Sequence, residues 1–391
     1  MLAELIRIPS ISGSRAETDV VHHVAALLRD EGVEVDEWRI PVSSLVQEPD
    51  FPGMEVERTE AWGVVARVPG QGGPSLMLNA HLDVVPPGDP ASWREHPFSG
   101  RISQSDVAGS DNAAYVYGRG ACDMKGGAAA ALFALLDVHR SGQAPTGDLL
   151  FAGVVGEEDG GLGTYATLAR GWRADACVIT EPTDLDVLAA NGGALTFRLL
   201  VPGRAAHASM RTKGVSAVER FQPVFSALRS LEARRNKTVD PLMSHWDIAY
   251  PVEVGTVHAG DWSSTVPELL VAEGRFGVAL DEPVPAARRE LEAAVRDVDD
   301  SVRVEWWGGQ FASGRCPSDS DLIARVQAAH GRPSSVYGAP YGSDLRLLTA
   351  AGIPTVQYGP GSPALAHTVD ERVPIAEVLH CAEALKRLAF S

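Results

Sequence analysis

The sequence predicts an α/β protein with a mostly parallel sheet flanked by helices, into which a smaller α+β domain is inserted. Apolar strand-like segments alternate with helix-like segments between residues 63 and 180, which is typical of parallel layered folds. Between residues 194 and 306 the order becomes β-α-β-β-α-β, the ferredoxin-like arrangement. The first pattern then returns, so the middle segment is interpreted as an insertion.

The first part of the chain opens with an amphipathic helix, because apolar residues recur at helical spacing from Val20 to Leu28 before Gly32. Short apolar runs predict strands at 63–68, 75–80, 148–155 and 176–180. An Ala- and Leu-rich run predicts a helix at 127–139, and a shorter helix is expected at 161–169.

The inserted segment has predicted strands at 194–201, 252–257, 269–280 and 302–306, with helices at 215–231 and 286–295. A helix at 320–330, a strand at 355–357 and a final helix at 375–390, which begins just after Pro374, complete the chain. The predicted domain bounds are therefore 1–190 and 311–391 for the α/β domain and 191–310 for the insertion.

Composition excludes several classes of function. The 391 residues are enough for two or three domains, and the net charge of −17 argues against a nucleic-acid partner, which would need a basic surface. No apolar run reaches the roughly 20 residues that cross a membrane. The first residues lack a secretory signal, and the widely spaced cysteines suggest neither disulfides nor a thiolate metal site. We expect a cytoplasmic protein that acts on a small molecule, without nucleic-acid or membrane partners.

Metal-type ligands follow successive predicted strands. The carboxyl ends of parallel strands are where functional groups gather in such sheets. The residues concerned are His81, Asp83, Asp123 in a glycine-rich stretch, Glu157, Glu158, Glu181 and His367.

Each of these residues alone could be an ordinary loop residue, but their recurrence at one strand end after another favours a metal centre. The glycine-rich stretch around Asp123 lacks the Gly-Lys-Ser/Thr ending of a phosphate loop. Two histidines with three or four carboxylates suit Zn²⁺, with Co²⁺ or Mn²⁺ as substitutes. The set is too large for one ion, so two are expected. Three carboxylates and a hydroxide would balance their charge.

Six segments carry a resemblance to a known family: HLDVVP from His81, GRGACDMKGG from Gly118, GEEDGG from Gly156, TEPT from Thr180, GRAAHAS from Gly203 and GPGSPALAHTVDE from Gly359. In this order they resemble the dinuclear zinc deacylases and peptidases related to acetylornithine deacetylase, succinyl-diaminopimelate desuccinylase, aminoacylase and carboxypeptidase G. The resemblance implies that Asp123 bridges two metal ions, with His81 and Glu181 at one and Glu158 and His367 at the other.

The same resemblance implies the roles of further residues. Asp83 would accept the second ring N–H of His81, and Glu157 would be the general base for a hydroxide shared by the metals. A cis peptide bond between Asp123 and Met124 is also implied. The hydroxide would attack the amide carbonyl, and Glu157 would then pass the proton to the leaving nitrogen.

The inserted domain would serve as a lid and as a dimerisation module. His207 resembles the family histidine that reaches the oxyanion in the partner's site, and Arg275 resembles the arginine that holds the substrate carboxylate. Ser264 stands where several relatives carry Asn in an Asn-x-x-Pro lid motif, and Ser343 precedes Leu345, where the family often has a small residue. We expect Ser264 and Ser343 to contact substrate.

The leading functional hypothesis is a homodimeric dizinc amidohydrolase that removes the acyl group from an N-acyl amino acid or a related small N-acyl compound. One alternative is a dipeptidase or carboxypeptidase with the same chemistry. Another is a non-catalytic dimeric binding protein, against which the complete ligand set and Glu157 argue.

Overall fold

A computed structural model describes residues 1–104 and 114–391, which form two compact units. The larger unit comprises 1–189, 315–336 and 344–391, and the smaller comprises 190–314 and 337–343. The sequence prediction gave 311–391 wholly to the α/β domain, whereas 337–343 lie in the smaller unit. There the indole of Trp246 donates a hydrogen bond to the carbonyl of Gly338 at 2.6 Å, and His245 stacks on Tyr337. These long-range contacts leave no periodicity in the sequence.

The helices are α1 (Leu2–Arg7), α2 (Arg15–Asp30), α3 (Val42–Leu45), α4 (Lys125–Ser141), α5 (Leu162–Ala169), α6 (Ala217–Arg235), α7 (Val284–Arg296), α8 (Leu322–His330), α9 (Leu345–Ala350) and α10 (Ile375–Ala389). Across residues 1–104 and 114–391, no helix combines the length and the apolar character that crossing a membrane requires.

The strands are β1 (Glu34–Arg39), β2 (Trp62–Val68), β3 (Leu76–His81), β4 (Arg101–Gln104), β5 (Ala114–Tyr117), β6 (Leu149–Val154), β7 (Ala176–Ile179), β8 (Val187–Asn191), β9 (Gly193–Pro202), β10 (Val252–Ala259), β11 (Leu269–Val278), β12 (Arg303–Phe311), β13 (Gly314–Arg315), β14 (Val336–Ala339), β15 (Thr355–Gln357) and β16 (Arg372–Pro374).

The main sheet confirms the predicted fold class. Seven of its nine strands run in the order β1-β2-β6-β3-β7-β15-β8. The central strands β6, β3, β7 and β15 are parallel, while β1 and β2 are antiparallel additions at one edge. In the register of the centre, His81 lies opposite Val154 and Asn79 opposite Ile179. The carboxyl ends of these strands therefore meet at one edge, where the loops that follow them converge.

Helix α4 packs on this sheet and is buried on nearly every side, which explains its uniformly apolar Ala- and Leu-rich sequence. It ends at Gly142, which adopts the left-handed conformation of a helix C-cap. Near its start, a Cβ on Gly127 would lie 1.7 Å from the carbonyl oxygen of Thr180. Only glycine lets the helix approach the strand end that carries Glu181.

The smaller unit has the predicted ferredoxin-like topology. Its four antiparallel strands run in the order β10-β11-β9-β12, and α6 and α7 pack against one face of the sheet. Inward-facing residues Leu195, Phe197 and Leu199 alternate along β9, and Leu291 of α7 belongs to the same core. Strands β10 and β12 form the two edges of this sheet.

A small antiparallel sheet in the larger unit joins two distant parts of the chain. Its strands run in the order β16-β5-β4, and Arg372 of β16 pairs with Tyr117 of β5. The main chain of Glu371 then accepts a hydrogen bond from Gly118 N at 2.9 Å. The segment after His367 therefore lies beside the glycine-rich segment that carries Asp123.

Candidate metal centre

The donor residues sit where the strand register predicts. His81 is the last residue of β3, Glu157 and Glu158 follow β6, and Glu181 follows β7, so all four leave the same edge of the sheet. Asp123 occupies the turn just before α4. Parallel pairing of neighbouring strands brings these side chains together although they are up to 100 residues apart in sequence.

Asp123 lies between the two histidines. Its Oδ1 is 3.0 Å from Nε2 of His81, and its Oδ2 is 3.4 Å from Nε2 of His367. On the His81 side, Oε1 of Glu181 is 3.8 Å from the same Nε2. On the other side, Oε2 of Glu158 is 3.1 Å from Nε2 of His367. The two oxygens of one carboxylate thus face two separate groups of donors.

The donors are close enough to share ions. Ligand atoms of His81, Asp123 and Glu158 lie within 4.8 Å of one another, as do those of His81, Glu157 and Glu181. The second group differs from the predicted ligand sets, because it includes Glu157, the expected base. Glu157 follows the same strand end as Glu158, which places its carboxylate beside the His81 group.

The buried carboxylates of this cluster favour a bound cation. Burial raises the pKa of Glu157 and of Glu181 well above the usual range, and neighbouring carboxylates add to the effect in both cases. Oε1 of Glu158 is buried and has no hydrogen-bond partner among the described residues. Several carboxylates in one enclosed space are costly unless positive charge compensates them. Nitrogen and oxygen donors without a thiolate fit Zn²⁺, Co²⁺ or Mn²⁺.

The same carboxylates also raise the pKa of both histidines. Burial would lower the pKa of His81, but Glu181 and Asp123 outweigh it and hold that pKa well above its usual value. Hydrogen bonds to Asp123 and Glu158 raise the pKa of His367 to about 11. A bound divalent cation would replace the protons on these rings, because a metal ion is coordinated by the neutral imidazole.

The peptide bond between Asp123 and Met124 is cis, as predicted. The expectation for Asp83 is corrected. Nδ1 of His81 lies 2.9 Å from the main-chain carbonyl of Asp83, while the Asp83 carboxylate is 3.8 Å away. That carboxylate instead accepts the hydroxyl of Ser12 at 3.0 Å and lies 3.4 Å from the main-chain nitrogens of Glu157 and Glu158. The main-chain carbonyl of Asp83 contacts the His81 ring because the two residues are only two positions apart in a turn. The Asp83 carboxylate is therefore available to the main-chain amides of Glu157 and Glu158.

The predicted substrate residues lie in the smaller unit. His207 is exposed, and its Nδ1 accepts a hydrogen bond from Ser209 N at 3.2 Å. Ser264 is close to it in the fold, because Ala208 N donates to the Ser264 carbonyl at 2.8 Å. Arg275 of β11 is half-buried, with its guanidinium 5.8 Å from the ring centre of Phe311. Ser343 is buried.

Sequence reasoning missed three residues that support the centre. Asp344 is a buried acid whose charge contributes to the raised pKa of Glu157. Asp159 binds the fully buried side chain of Arg58 at 2.7 Å, and thereby anchors the loop of Glu157. Glu371 binds the loop of Asp123. Asp159 and Glu371 fall in motifs quoted above and Asp344 does not, and none of the three is marked by local periodicity.

Comparison with known proteins identifies the family of this chain. The model of peptidase family M20/M25/M40 matches residues 77–391. The chain is 31% identical over 404 residues to a succinyl-diaminopimelate desuccinylase of Methylorubrum populi, covering 96% of this chain and 92% of that protein. It is 29% identical over 396 residues to a probable carboxypeptidase of Aspergillus niger, covering 98% and 87%.

A solved structure of an M20 family metallo-carboxypeptidase from Sulfolobus solfataricus has the same fold, with a TM-score of 0.77 at 16% identity over 99% of this chain and 97% of that one. The family resemblance seen in the sequence is confirmed, and the chain belongs to peptidase family M20/M25/M40.

Proposed function

We propose that this protein is a metal-dependent amidohydrolase that cleaves the linear amide bond of an N-acyl amino acid or a related small N-acyl compound. The observation that carries the proposal is the position of the Asp123 carboxylate, with one oxygen toward His81 and the other toward His367. Membership of a peptidase family supports amide hydrolysis as the reaction class. The desuccinylase and carboxypeptidase relatives support a small acylated substrate.

We assign one ion to His81, Asp123 and Glu181 and the other to Asp123, Glu158 and His367. Zinc is the proposed metal, with Co²⁺ or Mn²⁺ as substitutes. When bound, such ions lower the pKa of water and polarise an amide carbonyl.

Glu157 is proposed as the general base. It is buried beside His81 and Glu181, and burial raises its pKa, which is the direction that favours a carboxylate able to take up a proton. It would accept a proton from the attacking water and deliver it to the leaving nitrogen. A single carboxylate serves both steps because the proton need only be held until the carbon–nitrogen bond breaks.

His207 is proposed to donate a hydrogen bond to the oxyanion of the substrate in the partner's site. Since Ser209 N donates to its Nδ1, the neutral ring carries its proton on Nε2, where it is available as a donor. Arg275 is proposed to hold the substrate carboxylate, with Ser264 and Ser343 as further substrate contacts. Asp83 is proposed to orient the Glu157 loop through its main-chain amides.

We also propose a homodimer formed through the smaller unit. Strand β10 is an edge strand of its sheet, and Val257 on it is 48% exposed. Trp262, in the turn that follows, is 71% exposed. Light scattering should give a mass twice the 41.5 kDa of the chain, and a monomer at micromolar concentration would contradict this assignment.

The activity test compares N-acyl amino acids with dipeptides in the presence of Zn²⁺ or Co²⁺. Loss of a general base reduces turnover by about 10²–10⁴-fold, which is the effect expected for Glu157→Gln. The control is Glu48→Gln, the same chemical change at an exposed position of the larger unit. Exclusive cleavage of dipeptides would favour the peptidase alternative. Absence of any hydrolysis that depends on Glu157 would favour a binding protein.

A further inference from the structure

Glu371 is fully buried, and its carboxylate accepts hydrogen bonds from the loop that carries Asp123. Its Oε1 accepts main-chain N–H groups of Cys122 at 2.8 Å and Asp123 at 3.0 Å. Its Oε2 accepts the N–H of Gly120 at 3.1 Å and the guanidinium of Arg119 at 2.6 Å. The side chain is 0% exposed, so none of these bonds is shared with bulk water.

Arg119 extends the same network to the second histidine. Its Nη2 donates to the carbonyl of His367 at 3.2 Å, and its Nη1 donates to the carbonyl of Thr368 at 3.2 Å. The guanidinium is also almost fully buried. Glu371 and Arg119 therefore join the loop of Asp123 to the loop of His367, although the two are more than 240 residues apart.

The joined residues are those that must keep a fixed separation. Asp123 and His367 come from different loops, and their facing atoms are 3.4 Å apart. A metal ion held between two loops is bound tightly only if their spacing is set before the ion arrives, since ordering them on binding would reduce the affinity. A main-chain clamp sets that spacing without occupying either ligand's side chain.

We propose that Glu371, acting through Arg119, is a positioning residue that fixes the Asp123 and His367 loops in the spacing that the metal centre needs. The inference rests on the proposed function, because it requires that Asp123 and His367 hold an ion. It adds to that function a residue that touches neither metal nor substrate.

The direct test is Glu371→Gln, measured by titration of the metal-free protein with Zn²⁺ or Co²⁺ alone. Glutamine keeps the shape but presents an NH₂ group to donors that need an acceptor. Changes in outer-shell partners weaken metal binding by about 10–100-fold, which is the expected loss. The Co²⁺ absorption spectrum should also change, because the angle between ligands changes when the loops move. A purely structural role would lower the melting temperature without altering that spectrum.

The matched control is Asp148→Asn. Asp148 also binds an arginine and a main-chain amide, from Arg67 and Gly70, but it lies at the other end of β6 from the metal centre. It should leave metal affinity unchanged. If Glu371→Gln does not fold, Arg119→Lys provides the second variant, since lysine keeps the charge but loses the fork that reaches the His367 loop. Arg119→Lys should lower the affinity for the ion that His367 holds and leave the affinity for the other ion unchanged.

The outcomes separate this inference from the proposed function. Wild-type affinity and an unchanged Co²⁺ spectrum in both variants would overturn the positioning role and leave the metal centre intact. A wild-type protein that binds no ion would overturn the proposed function and this inference with it.

Discussion

Replacing Arg58 with methionine should lower the free energy of unfolding by about 3–5 kcal/mol, the usual cost of removing one partner of a buried ion pair. The Arg58 side chain is 0% exposed. Its Nε and Nη2 bind the two oxygens of Glu17 at 2.9 and 2.8 Å, and its Nη1 binds Asp159 at 2.7 Å. Methionine fills much of the same space but strands two buried carboxylates without a counter-ion.

The control is Arg67→Met. Arg67 pairs with Asp148 at 2.7 Å, but both side chains are about one-third exposed. Solvent screens such a pair, so the expected loss is much smaller than that of Arg58→Met. Chemical unfolding of the metal-free variants at pH 7 measures both values. Equal losses in the two variants would show that burial does not set the strength of the Arg58 network.

A rescue variant tests the stated cause. If stranded charge is the problem, adding Glu17→Gln and Asp159→Asn to Arg58→Met should recover a large part of the lost stability. Burial already raises the pKa of Glu17 to about 7, with Arg58 opposing it. A raised carboxyl pKa gives stability at low pH that is lost as the pH rises through that value. The defect of Arg58→Met should therefore shrink as the pH falls toward 4.5, and a constant defect would contradict the reasoning.

Gly127→Ala should lower the free energy of unfolding by about 1–3 kcal/mol or more, because the new Cβ would meet the carbonyl of Thr180. Gly255→Ala is the control, because a Cβ there enters open space and the same unfolding assay should show almost no change. Burial lowers the pKa of His330 and of His380, so stability should fall as the pH drops below about 6.5. His380→Gln should flatten that dependence in urea unfolding at pH 7.5 and 5.5, and an unchanged slope would refute the assignment. Zn²⁺ at about 100 times its Kd should stabilise the protein by about 2.7 kcal/mol. Chelation should reverse the shift in melting temperature, and a melting temperature indifferent to both would contradict a metal centre.

Much of the fold could be predicted from the sequence because its main elements are locally patterned. The amphipathic helix predicted from the spacing between Val20 and Leu28 is α2, which spans Arg15–Asp30 and follows the short helix α1. The order of elements in the inserted segment gave its ferredoxin-like topology. The short strand β1 was not predicted, since its sequence Glu-Val-Asp-Glu-Trp-Arg is mostly charged and its pairing with β2 is a tertiary event.

The candidate donors could also be predicted, because His81, Glu158 and Glu181 each follow an apolar strand. Their supporting contacts could not. Asp83 illustrates the difference, since its main-chain carbonyl serves His81 while its carboxylate serves Ser12, and nothing in the sequence distinguishes these uses.

The sequence by itself determined the fold class, the order of elements and which side chains stand at strand ends. These depend on periodicities and apolar runs that span a few neighbouring residues. Only the tertiary structure decided that the two oxygens of Asp123 face different histidines, and that Glu371 and Arg58 hold the loops around them. Those contacts join residues that are from 42 to more than 240 positions apart, so they exist only once distant segments have packed against each other.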